Sequence, residues 1–139
     1  MPDDRIFLDS NVLIYAYFKQ DVDKQRISKE LIMQECVIST QVLQEMSHTL
    51  NRKMKVDFQI IKLILQECLH NCELYINTSD TVLAALDIAE RYGFSFYDSM
   101  IIAAAIDSDC SVLYSEDMQH NQYIGNLTVI NPFLQLKKF

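Results

Sequence analysis

Four acidic residues are spaced so that an α/β sheet would deliver them to one place. Asp9 directly follows the apolar run Ile6-Phe7-Leu8, Glu45 lies in the helix expected after Val37-Ile38, Asp98 opens a helix, and Asp117 closely follows Val112-Leu113-Tyr114. Carboxylates gathered without neutralisation raise one another's pKa values and oppose folding, whereas a divalent cation turns the same cluster into a ligand set. Oxygen-only ligands suit Mg²⁺ or Mn²⁺ rather than zinc. Such an ion lowers the pKa of bound water and stabilises charge on a phosphoryl oxygen during in-line displacement, so the chemistry suited to this set is phosphodiester hydrolysis.

Each acid also has an ordinary structural use. Asp9 can cap the first helix, with Ser10 or Asn11 as alternatives. Asp98 stands three residues after Ser95, the spacing of a capping box. Glu45 reads alone as a solvated helix acid, and Asp117, beside Glu116, as a turn residue. Their joint placement is what favours a common site.

The elements that must position them follow from apolar runs and caps. Arg5 to Leu8 reads as a buried strand, Asn11 to Phe18 as a short helix, and residues 22 to 35 as a helix leading to the strand Cys36-Val37-Ile38. Ser39 or Thr40 caps a helix to about Lys53, in which Val42, Met46 and Leu50 set the core face and leave Glu45 on its flank. A helix over residues 57 to 71, built around Phe58, Ile61, Leu65 and Leu69, precedes the strand Leu74-Tyr75-Ile76. Ser79 or Asp80 caps the next helix, which Gly93 ends by supplying a left-handed residue. The segment Asp98 to Ile106 is apolar nearly all round and belongs in the interior. Val112 to Tyr114 and Thr128 to Ile130 bring the strands to about five, short and β-branched, as a parallel sheet covered on both faces requires. In such sheets the ligand crevice lies beyond the carboxyl ends of the strands, where Asp9 and Asp117 emerge.

The 139 residues, half of them apolar, suit one α/β domain spanning 1 to 139, with too few Gly and Pro, two of each, to mark a linker. No signal-like start and no run of about 18 apolar residues stands out, so the expectation is a cytoplasmic protein without a membrane span. Cys36, Cys68, Cys72 and Cys110 form no CxxC pair and read as buried free thiols. A net charge of −7 sits awkwardly with a polyanionic partner unless acids concentrate at a metal site or a partner supplies charge. Local basic groups, Arg52, Lys53 and Lys55 on one hand and Lys19, Lys24, Arg26 and Lys29 on the other, are the candidates for phosphate contact. Tyr15 and Tyr17 suit packing better than base stacking, and His120 and Asn121 stand near Asp117 in a loop.

Taken together, Phe7-Leu8-Asp9-Ser10-Asn11-Val12-Leu13, Val42-Leu43-Gln44-Glu45, Phe96-Tyr97-Asp98-Ser99-Met100-Ile101, Tyr114-Ser115-Glu116-Asp117-Met118 and the closing Val129-Ile130-Asn131-Pro132-Phe133 resemble the PIN-domain nucleases, in particular the small VapC-like toxins. The resemblance implies a Rossmann-like sheet flanked by helices and a Mg²⁺- or Mn²⁺-dependent endoribonuclease. It implies Asp9 and Asp98 as principal metal ligands, Glu45 and Asp117 binding directly or through water, and Asn11 and Ser115 in support. Between Glu116 and Asp117 the family pattern favours Asp117, with Glu116 in support and the adjacent acids able to exchange water-mediated roles. Asn121 stands where close relatives often carry Gly, a position Asn tolerates because it accepts left-handed geometry. An RNA substrate, a cognate antitoxin and a homodimer are the partners implied.

Other classes fit less well. Glu45-x-x-His48 and Glu67-x-x-His70 match the spacing of di-iron bundles, but residues 49 to 66 contain no Glu to complete the set. A haloacid-dehalogenase-type phosphotransferase needs a second Asp where Asn11 stands, and a receiver domain needs an early acidic pair and a later strand-end Lys. A catalytically silent PIN-like binding module would be expected to lose one or more of the acids, and an RNA-processing nuclease rather than a toxin would keep them.

Overall fold

The computed structural model describes residues 4–134. Its sheet runs β3 (Glu73–Tyr75), β2 (Cys36–Ser39), β1 (Ile6–Leu8), β4 (Val112–Tyr114), β6 (Leu127–Ile130), β5 (Gln122–Ile124). All neighbours are parallel except the last pair. The central strands are buried on both faces, with every residue of β1 and β2 inaccessible, which is why they read as unbroken apolar runs. Six strands replace the five expected. The extra one, β5, joins β6 through the two-residue turn Gly125-Asn126, where Gly125 takes a φ of 60°.

Helix α1 (Ser10–Tyr15) packs on both α2 (Val22–Ile32) and α3 (Thr40–Arg52), α3 packs on α4 (Phe58–Asn71), and α5 (Ser79–Tyr92) pairs with α6 (Phe96–Asp107). In α6 every residue from Ser99 to Ala105 is buried, as an all-round apolar helix requires, although Ile106 emerges at its end. Helix α4 departs from expectation: Ile61 and Cys68 face the core, whereas Phe58 and Leu69 are exposed. The inward stripe is the one at i, i+3, i+4, i+7 from Ile61, with Ile64 and Leu65 packed against the core. All four cysteines are free and buried. Among the described residues no helix is long and apolar enough to cross a membrane.

Caps fix where each helix starts relative to the sheet edge. Ser39 closes β2 and accepts from the Val42 N–H, so α3 begins immediately at the strand's carboxyl end. Thr78, one residue earlier than expected, caps α5 through a reciprocal box with Thr81, and Gly93 ends it at φ 79°. Backbone pairing continues past two strand ends: the Asp9 N–H donates to Tyr114 O at 3.0 Å, and the Ser115 N–H to Ile130 O at 3.0 Å. Asp9 and Ser115 are thereby held as rigidly as the strands that precede them. Phe7, Leu8, Leu13, Ile38, Leu113 and Phe133, all essentially inaccessible, anchor this edge from beneath, each worth about 1.5–3 kcal/mol of burial.

Candidate functional site

At the carboxyl edge of the sheet lies a cleft of about 650 Å³. Asp9, Glu45, Asp98 and Asp117 all line it, with Ser10, Gln41, His48 and Tyr97 among the other walls. The acids arrive from β1, α3, the first turn of α6 and the segment after β4. A second cavity of about 600 Å³ opens where β4 and β6 begin, beside Arg91, Asp87 and Asp109, and holds none of these carboxylates.

Asp9 is 5% exposed and caps α1. Its Oδ1 accepts from the Ser10 N–H at 2.8 Å and its Oδ2 from the Ser115 hydroxyl at 2.9 Å. Burial pushes its carboxyl up to about 7; the two hydrogen bonds oppose that rise, and the charges of Glu45 and Asp117 add to it. The capping use and the site position therefore coincide in one side chain.

Glu45 is half-buried on the flank of α3, as its place beside the Val42-Met46-Leu50 stripe requires. Burial, and then the charges of Asp98 and Asp117, raise its pKa, against hydrogen bonds from Gln41 at 3.3 Å and Ser10 at 3.5 Å. Asp98 sits in the first turn of α6, where its N–H donates to Ser95 Oγ at 3.2 Å. Ser95 is thus the helix cap, and the Asp98 carboxyl is left to face the cleft with a pKa raised by burial and by Asp117. Asp117 is exposed, with Oδ2 accepting from Asn11 Nδ2 at 2.9 Å and its N–H donating to Ser115 Oγ at 3.3 Å.

Asn11 and Ser115 bridge elements. The Asn11 carbonyl accepts from the Glu116 N–H at 3.2 Å while its amide donates to Asp117, so one side chain braces both residues from α1. Ser115 joins Asp9 to the backbone of Asp117. The neighbouring acids part company: Asp117 lines the cleft, and Glu116 turns away to Tyr15 and Lys24.

Gln41 escaped sequence reasoning. It is buried one turn before Glu45, and its amide nitrogen donates both to Glu45 Oε2 and, at 3.1 Å, to the Tyr97 carbonyl next to Asp98. Its spacing of four residues from Glu45 on one helix face was the available signal. Gln41 Oε1 is buried without a partner among the described residues.

Neither group of basic residues lines the cleft. Arg52, Lys53 and Lys55 are exposed at the end of α3 and do not line the cleft. Of the second group, Lys24 is paired with Glu116, and Arg26 lies 3.9 Å from Asp23 and 3.6 Å from Glu30, so both serve intramolecular contacts. Tyr15 packs edge-on against Phe133 at 5.2 Å, and Tyr17 donates to Glu67 at 2.9 Å. His120 accepts from the Asn131 N–H at 3.0 Å, and Asn121 adopts the left-handed φ of 65° that its place requires.

Four carboxylates, one of them buried and driven towards neutrality, and an orphaned amide oxygen are the donor chemistry a hard dication would satisfy. Among the described residues, however, no three His, Cys, Asp or Glu side chains converge tightly enough to hold an ion as they stand.

The sequence model of the PIN domain matches residues 6–124. The chain belongs to the PIN domain family. No curated protein sequence resembles it at a significant level. Solved structures share its fold: the sarcin-ricin loop cleaving toxin VapC20 of Mycobacterium tuberculosis, at 19% identity and a TM-score of 0.67, covers 81% of this chain and 89% of its own. A toxin-antitoxin complex from Klebsiella pneumoniae matches at 16% identity and 0.68, over 91% and 97%. VapBC2 of Rickettsia felis, bound to a DNA fragment from its promoter, matches at 19% and 0.64, over 90% and 96%. This PIN domain therefore carries its four acids on a scaffold that toxins of toxin-antitoxin pairs also use.

Proposed function

We propose that this PIN domain is a Mg²⁺- or Mn²⁺-dependent endoribonuclease and the toxin of a toxin-antitoxin pair. The observation that carries the reading is the meeting of Asp9, Glu45, Asp98 and Asp117 in one cleft with no Lys or Arg on its walls among the described residues. Such a cleft repels RNA unless a cation stands between carboxylate and phosphate. Asp9 and Asp98 would hold the ion, with Glu45 and Asp117 as further ligands or as partners of its water. When bound, the ion would acidify water and polarise a phosphoryl oxygen.

The chain's own groups fix the geometry. Ser10 and Ser115 orient the Asp9 carboxylate, Gln41 holds Glu45 at a constant distance from the first turn of α6, and Asn11 aims Asp117. With both of its oxygens accepting hydrogen bonds, Asp9 is restricted to one rotamer, the condition for a ligand that must not reorganise during turnover. Glu45 and Asp117, with open lone pairs on the cleft side, suit the acceptance of a proton from attacking water. Arg52, Lys53 and Lys55, beyond His48 and Thr49 on α3, would meet the RNA backbone away from the reacting phosphate.

The antitoxin's place in this reading is the same cleft, as a protein chain that supplies positive charge to the four acids. The test is cleavage of total cellular RNA with Mg²⁺ or Mn²⁺, comparing wild type with Asp98→Asn and mapping the new ends. Discrete ends that vanish with chelator and in the variant support the reading. RNA binding without cleavage would make the chain a binding module, and cleavage that persists in Asp98→Asn would reject the site.

A further inference from the structure

We propose that Lys24 is a positioning residue for the acidic cleft: by capturing Glu116 with Tyr15, it clamps the segment after β4 so that Asp117, and not its acidic neighbour, is presented. The inference rests on the ribonuclease reading above for its catalytic consequence, and on the contacts alone for the clamp.

Three consecutive side chains leave the end of β4 in different directions. Ser115 points to Asp9, Asp117 lines the cleft, and Glu116 crosses to the gap between α1 and α2. Both Glu116 oxygens are engaged there: Oε1 accepts from the Tyr15 hydroxyl at 2.7 Å, and Oε2 pairs with Lys24 Nζ. Lys24 and Glu116 are only 22% and 24% exposed, so solvent screens the pair less than a surface ion pair. The ammonium itself is held in place, 4.9 Å from the centre of the Tyr15 ring and 5.4 Å from that of Phe133. Phe133 is inaccessible and packs edge-on to Tyr15, which gives the cation a fixed seat.

Asp117 is anchored more lightly. Its exposed carboxylate accepts one hydrogen bond from Asn11, its N–H donates to Ser115 Oγ at 3.3 Å, and its backbone runs between Glu116 and the buried Met118. Freed from Lys24, Glu116 would be a partly buried charge without a cation, one residue from the cleft. It would gain by turning to solvent or to whatever cation the cleft holds, and either movement rotates the peptide that bears Asp117.

The test uses Lys24→Met, which keeps the aliphatic stem over Tyr15 and Phe133, with Lys24→Arg and the double variant Lys24→Met/Glu116→Gln. At saturating Mn²⁺, kcat for RNA cleavage by Lys24→Met should fall about ten- to hundredfold with KM unchanged, the cost of a misplaced reacting group. Lys24→Arg should restore most of it, and so should the double variant, since the neutral amide it places after Ser115 no longer needs a cation. Independently of any RNA, hydrogen exchange at the Glu116 and Asp117 amides should quicken in Lys24→Met and not in Lys24→Arg. A rise in KM with kcat intact would make Lys24 a phosphate contact and overturn the proposal, as would a double variant no better than Lys24→Met while both keep the wild-type melting temperature. If wild type cleaves no RNA, the ribonuclease reading fails, and the exchange measurement still decides whether the clamp exists.

Discussion

Asp9→Asn should make the metal-free protein more stable while removing its activity. In the folded chain the carboxyl of Asp9 sits at about 7, against an ordinary 3.8, because it is buried beside Glu45 and Asp117. The folded state therefore holds this proton more tightly than the unfolded chain does. Stability is fully present below the unfolded value and is lost as pH rises through the folded one, between about pH 4 and pH 8. A shift of that size corresponds to about 4 kcal/mol over the window. Asn is the neutral isostere of the protonated acid and escapes the loss, so the gap between variant and wild type should open as pH rises. At this chain length 1 kcal/mol moves the melting temperature by about 3 °C, which makes the extra separation at pH 8 about 10 °C. Thermal denaturation in chelator at pH 4 and pH 8 reads it, since subtracting the two proteins cancels the titrating groups that do not interact with Asp9, and Glu45 and Asp117 enter only through their coupling to it. Mg²⁺ at pH 8 should raise the wild-type melting temperature and leave the variant unmoved. Melting curves separated by the same interval at both pH values would show that Asp9 is not a buried charge, and the cleft would then have no need of a cation.

Three other outcomes are expected. Gln41→Leu, which unties Glu45 from the Tyr97 carbonyl, should lower kcat about tenfold, roughly the loss of one aligned hydrogen bond, with the circular dichroism spectrum preserved. Replacing Arg52, Lys53 and Lys55 by Gln should raise KM for RNA and flatten its salt dependence by up to about three in the log–log slope while leaving kcat; an unchanged slope removes them from the RNA path. The sulfurs of Cys36 and Cys72 stand 2.9 Å apart, so mild oxidation by a diazene-dicarboxamide should join this pair and leave Cys68 and Cys110 alkylatable, a pattern peptide mass spectrometry would show or refute.

The elements that carry the acids were legible because their signals are local. Ile6-Phe7-Leu8 and Val37-Ile38 are buried on both faces and so show as unbroken apolar runs, and Ser39, Ser95 and Gly93 mark helix ends by their own hydrogen-bonding or backbone chemistry. Strand β5 was missed because a three-residue edge strand with an exposed Tyr123 has no apolar period; the Gly125-Asn126 turn was its available signal. The inward face of α4 was misread because Phe58 and Leu69 are apolar yet exposed, and a pattern of apolar residues does not say which of two stripes meets the core.

Residue order along the chain was enough to bring the four acids to one edge of a parallel sheet, since, strand order aside, each acid follows its own strand or cap within a few residues. How the remaining charges are shared out depends on packing in three dimensions. Glu116 and Asp117 are adjacent and chemically alike, and nothing local distinguishes them. One is withdrawn because Lys24 and Tyr15, about a hundred residues earlier, come to lie beneath it, and the other reaches the cleft because Asn11 meets it there. Gln41 likewise acquires meaning only when α6 brings the Tyr97 carbonyl to it. Electrostatic partners act through space over a few ångströms, so their pairing is a property of packing and not of order along the chain.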